Sequence, residues 1–142
     1  PTTSAAAPSS TAPASGSTTD YLSIANKWRL LMGLKGYTLD ATLEENAKKT
    51  CIDGNGEMEH ELNPGTMGQV LAPGGEEDFE KVFVGGWLCE VPATLGLNGI
   101  CGTLSKGWTY EGQTGHNEIL VSTKYTKIGC SLQKGIWGCD LA

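Results

Sequence analysis

The chain is 142 residues long and carries a formal charge of −6, enough for one domain plus whatever is disordered. The acidic balance excludes nucleic-acid binding through phosphates and charge-driven attachment to anionic lipid, both of which need a basic surface. No apolar run approaches the length of a membrane span, so a transmembrane role is not expected.

Residues 1–20 are Pro, Thr, Ser and Ala apart from Gly16 and Asp20. Such a segment has too little apolar surface to offset its ordering entropy, and we expect it to be disordered. It reads as an O-glycosylated stalk or, equally, as a plain flexible leader. No Asn-x-Ser/Thr sequon follows anywhere in the chain. With no signal peptide at Pro1, the chain is expected to be a mature or trimmed form whose export signal has gone.

A first helix is predicted from Asp20, its N-cap, to Met32. Tyr21, Ala25, Trp28 and Met32 make one apolar stripe on it, a pattern that belongs to core packing far more often than to a ligand site. Gly33 and Gly36 end it. A second helix runs from Ala41 to Cys51 behind the cap Asp40, with Glu44 and Glu45 in its first turn and Leu43, Ala47 and Thr50 or Cys51 facing inward. Residues 52–75 contain eight glycines and prolines and read as a long loop holding His60. A third helix is expected over residues 76–90. Phe79, Val82, Phe83, Gly86, Trp87 and Glu90 share one of its faces. A carboxylate on that stripe is either buried and paired or simply exposed at the helix end before Val91-Pro92. Residues 91–114 form a second loop with Cys101, Trp108 and Tyr110.

Residues 115–130, from Gly115-His116 through Ile119-Leu120-Val121 to Ile128-Gly129-Cys130, hold the chain's second histidine. The apolar run reads as a short buried strand, β-branched and bounded by breakers. It would leave His116 at its mouth, facing beyond the sheet edge. The spacing from Gly-His to Gly-Cys and the pair Leu120-Val121 resemble the signature of the CAP superfamily, the cysteine-rich secretory, antigen 5 and pathogenesis-related 1 proteins. Asn117, Glu118-Ile119 and Ser122 depart from that signature, standing for an aromatic residue, Thr-Gln and a tryptophan.

After this strand comes a hairpin. Lys134-Gly135 makes a two-residue turn, which pairs Gln133 with Ile136, Leu132 with Trp137, Ser131 with Gly138 and Cys130 with Cys139. The last pair falls where Cα atoms approach to about 4.5 Å, a spacing that suits a disulfide. The resemblance implies the same Cys130–Cys139 bridge. It also implies that Cys89 and Cys101 staple the loop between them, which leaves Cys51 free or used between molecules. Five cysteines in a Gly-rich chain point independently to an oxidising compartment. None has zinc-finger spacing.

What the resemblance implies about fold is an α+β domain over residues 21–142, a three-layer α-β-α sandwich with a small antiparallel sheet and long loops. It further implies a cleft lined by His60, Gln69, Glu90 and His116, where Gln69 replaces the family's glutamate and loses its charge. His60 and His116 could hold a divalent metal such as zinc. The implied function is that of a secreted, non-enzymatic binding protein acting in host interaction, defence or virulence. Its expected partners are a sterol or fatty acid, held on apolar surface near Trp87, Trp108 and Tyr110, or a host or extracellular protein. The alternative is a metal-dependent extracellular hydrolase with Glu90 or Glu61 as general base. The Ser/Thr/Pro leader and shortened final hairpin lean towards a fungal source.

Overall fold

The computed structural model of the protein describes residues 21–142; the predicted leader and the Asp20 cap lie outside the described residues. Helix α1 (Tyr21–Leu31) buries the predicted stripe of Tyr21, Ala25, Trp28 and Met32. Two residues, β1 (Thr38–Leu39), lead into α2 (Ala41–Gly54), where the Asp40 side chain accepts from the Leu43 N–H as an N-cap. Helix α2 continues past the predicted Cys51 end, because Asn55 in the left-handed conformation closes it three residues later.

The predicted long loop contains a strand, β2 (Gly68–Pro73). Its density of Gly and Pro hides a Val70-Leu71-Ala72 core that is buried on both faces, and Pro73 sits at the end of an edge strand, where proline is tolerated. The third predicted helix is shorter and wider than the 3.6-residue pattern suggests. It turns helical at Phe79, runs as a π segment over Lys81–Trp87 and tightens into one 3-10 turn at Leu88–Glu90. Phe79, Val82, Phe83 and Trp87 are all buried on it as expected, the two phenylalanines contributing roughly 1.5–3 kcal/mol each relative to exposure. A short helix, α3 (Cys101–Leu104), interrupts the second loop.

The largest correction concerns residues 115–121. They form a helix, α4 (Gly115–Val121), and not the predicted strand. Asn117 and Leu120, three residues apart, are its buried positions. A helix this short is unstable alone; its C-terminal carbonyls are satisfied by distant side chains. The buried Arg29 donates to Leu120 O and Ser122 O, and Tyr37 OH donates to Leu120 O. The Arg29 guanidinium also stacks on the Tyr37 ring at 4.2 Å.

The hairpin β3 (Lys127–Gln133) and β4 (Ile136–Leu141) has the predicted register at every pair. Lys134 and Gly135 both take positive φ in the turn. The sheet order is β1-β3-β4-β2. It is antiparallel over β2, β4 and β3, while β1 adds a parallel edge to β3, so the sheet is mixed where an antiparallel one was expected. The α+β class stands. Helix α2 covers one face, and α1 with the π segment lies over the core on the other. On the α2 face, Gly129 lets the helix backbone come so close that a Cβ there would lie 2.1 Å from Glu44 N. The opposite face carries Ile128, Cys130, Trp137, Cys139 and Val70 into the main core, with Phe79 edge-on to Trp137 at 4.9 Å. Both predicted disulfides are present, Cys130–Cys139 with Cα atoms 4.1 Å apart and Cys89–Cys101 at 5.7 Å. Cys51 is free and 1% exposed, which places it beyond reach of a second molecule.

Candidate functional site

Glu90 ends the 3-10 turn with its side chain 2% exposed, so the exposed-end reading of this residue is wrong. Both its oxygens are occupied. Oε1 accepts from the Asn117 N–H at 3.0 Å, and Oε2 lies 2.6 Å from His116 Nδ1. Asn117, which stands for the signature's aromatic residue, is buried and donates to Leu88 O and Thr94 Oγ1. These bonds tie the first turn of α4 to the end of the π segment. His116 lies against Trp87, its ring 6.3 Å from the indole and tilted by 20°. Its Nδ1 is engaged by Glu90, so Nε2 is the nitrogen left to other partners.

His60 is held from behind by Gln69, and the orientation of that amide can be read from its neighbours. The Glu61 N–H donates to Oε1 at 3.1 Å. Nε2 donates to Glu61 O at 3.0 Å, to Asp140 Oδ1 at 2.9 Å and to Thr50 Oγ1 at 3.1 Å. Two of those partners, a backbone N–H and a backbone carbonyl, are unambiguous as donor and acceptor. Oε1 therefore faces His60 Nδ1, 2.9 Å away, and that nitrogen must carry the proton. Asp140 is wholly buried and also accepts from Thr66 Oγ1 at 2.7 Å. Burial pushes its carboxyl above the usual range, against the opposing hydrogen bonds of Thr66 and Gln69. A glutamate at position 69 would bring a second carboxylate against Asp140, and the neutral amide avoids that repulsion.

His60, Glu90 and His116 line one cavity of about 330 Å³, together with Trp87, Trp108 and Tyr110. Gln69 does not line it; it stands behind His60. Trp108 and Tyr110 reach the cavity because the wide π segment has glycines at 85 and 86. A Cβ on Gly86 would sit 3.0 Å from the Trp108 ring, and one on Gly85 would overlap Leu104 O. The Tyr110 hydroxyl donates to Gly85 O. Burial, and then the nearby Glu90 charge, raise its pKa. Sequence reasoning missed Met58, Leu71 and Gln113 in the lining, and Asp140, Thr50 and Thr66 in the support of His60. Asp140 did leave a signal: it is a lone carboxylate in an otherwise apolar strand, in register with Gln69.

Comparison with known proteins bears on the family and the fold. The model of the cysteine-rich secretory protein family, CAP, matches residues 22–139. The chain belongs to the CAP family. None of the curated proteins matches the sequence. Among solved structures, the CAP chain is similar to a cysteine-rich secretory protein of Staphylococcus aureus subsp. aureus Mu50, with 12% identity and a TM-score of 0.52. The alignment covers 89% of this chain and 38% of that one, so this CAP domain spans well under half of the bacterial protein.

Among the described residues of this CAP domain, no group of three or more His, Cys, Asp or Glu side chains is arranged to hold a metal ion. Gln69 is turned towards Asp140 and the oxygens of Glu90 are engaged. The donors that remain are Nε2 of His60 and Nε2 of His116. They suit zinc chemically, with other positions filled from solvent or a ligand. The carboxylate of Glu61, the other general base considered, accepts from Lys49 and Asn63 and lies outside the cavity lining.

Proposed function

We propose that this CAP protein is an extracellular, non-enzymatic binding protein whose cavity takes a small amphipathic lipid of the sterol or fatty-acid kind. The observation that carries the reading is the cavity's lining, which is largely apolar with a few polar groups. Trp87, Trp108, Leu71 and Met58 are among its apolar residues; His60, His116 and Glu90 are among its polar ones. A volume of about 330 Å³ lies within the range of small-molecule sites, which are apolar pockets with a few placed polar groups. Two disulfides in so small a domain support an oxidising, extracellular setting. Capture of such a lipid would fit a role in host interaction, defence or virulence. The hydrolase reading has less support, because both carboxylates considered as bases are engaged by other groups.

Titration with a sterol and with a fatty acid, read by quenching of tryptophan fluorescence, tests the proposal. Saturable binding of at least one of the two is expected for the wild type. It should weaken by about tenfold or more in Trp108→Ala, which removes a large aromatic contact. Saturable binding that is unchanged in that variant would move the lipid site elsewhere.

A further inference from the structure

Resting on that reading, we infer that the cavity discriminates by head group, taking an uncharged amphiphile with a hydroxyl and rejecting the carboxylate of equal chain length, and that Gln69 and Asp140 are the positioning residues behind this choice. Two independent features of the cavity lead there.

The first is the tautomer of His60. Asp140, Thr50 and the Glu61 carbonyl hold Nε2 of Gln69, which turns Oε1 towards His60. The proton of His60 is thereby fixed on Nδ1, 2.9 Å from that oxygen, and in the neutral ring Nε2 keeps a lone pair. No partner for that nitrogen is found among the described residues, and the ring lines the cavity. It wants a donor. A ligand O–H supplies one. A carboxylate has no proton to give and would set its own lone pairs against this nitrogen. A hydroxyl can also accept from or donate to His116, whichever charge that ring carries.

The second feature is the absence of lysine and arginine from the lining. No lysine or arginine is among the residues lining the cavity, and the carboxyl group there is Glu90, which is already engaged. A ligand carboxylate would be desolvated beside another carboxylate with no lysine or arginine to pair with, the His116 ring being already engaged by Glu90. A neutral head group avoids this cost. The departure from the family's glutamate at position 69 matters for the same reason, since an amide fixes the His60 tautomer without adding a charge that would favour the imidazolium.

The test compares 1-decanol with decanoate by calorimetry on the full chain at about pH 8, where decanoate is fully ionised. Decanol is expected to bind tighter by about tenfold or more, the range of one hydrogen bond made or lost. In His60→Phe, whose exposed position tolerates the change, that ratio should fall towards one. Nitrogen NMR of the His60 ring should show the proton on Nδ1 in the wild type and a mixture of tautomers in Gln69→Leu. Equal or tighter binding of decanoate would overturn the head-group inference and leave the lipid reading intact. Preference for decanol that survives in His60→Phe, or an Nε2-protonated ring in the wild type, would also overturn it. If neither ligand saturates the protein, the inference and the lipid reading fall together.

Discussion

Asp140 shows how much one side chain can decide. It lies fully buried on the α2 face of the sheet, where Thr66 and Gln69 donate to its two oxygens. Burial raises its folded pKa above the unfolded value, so the folded state holds the proton more tightly. Its contribution to stability is therefore fully present below the unfolded carboxyl pKa of about 3.9. It is lost as pH rises through the folded value. Asp140→Asn removes this dependence yet keeps both contacts, with Oδ1 accepting from Gln69 and Nδ2 donating to Thr66 Oγ1. Urea midpoints measured across that window should show the variant gaining on the wild type as pH rises. A constant difference at every pH would mean that the carboxyl does not titrate there. Gln69 was legible in the sequence as a departure from a family pattern. The reason for it was not, because Asp140 is 71 residues away along the chain.

Among the elements, those with local determinants were legible. Helix α2 was readable from its Asp40 cap and apolar positions, and the hairpin from Lys134-Gly135, because caps and two-residue turns are set by neighbouring residues. Helix α4 was misread because Ile119, Leu120 and Val121 favour a strand locally; Arg29 and Tyr37, far earlier in the chain, satisfy the helix end. Strand β2 was hidden by its glycines and proline and is stabilised by pairing with β4. Gly129 belongs to this scale too. The sequence marks it as a motif residue, and the structure gives the reason, since a Cβ there would lie 2.1 Å from Glu44 N and 2.4 Å from Leu43 C. Gly129→Ala is expected to cost about 3 kcal/mol or more, at the upper end for overpacking, because a backbone cannot yield as a side chain can. Gly115→Ala, with open space around its Cβ, is the control and should be near neutral. Equal urea midpoints for the two variants would show that α2 does not pack on Gly129 as described.

At the scale of the whole molecule, the cavity depends on parts that are remote in sequence. His60 comes from the loop before β2, Glu90 from the end of the π segment, Trp108 from the second loop and His116 from α4. A zinc titration by calorimetry tests whether the two imidazoles act together. One weak site per chain is expected, a site of two protein donors being far short of the usual three or four. His60→Ala and His116→Ala should each abolish it while leaving the far-ultraviolet circular dichroism unchanged. Binding that persists in both variants would place the metal elsewhere.

The sequence by itself determined the α+β class, the family resemblance, two helices with their buried stripes, the hairpin register and the pairing of four of the five cysteines. Those features rest on local propensity, turn chemistry and motif spacing, which act over a few residues at a time. Only the tertiary structure decided that residues 115–121 are helical, that residues 68–73 form a strand, and that Gln69 faces Asp140 and stands behind His60. In each case the deciding hydrogen bond comes from a residue far away in the chain, where no local pattern can register it. The physical reason is the same throughout: a buried polar group must find a partner, and the fold chooses which one.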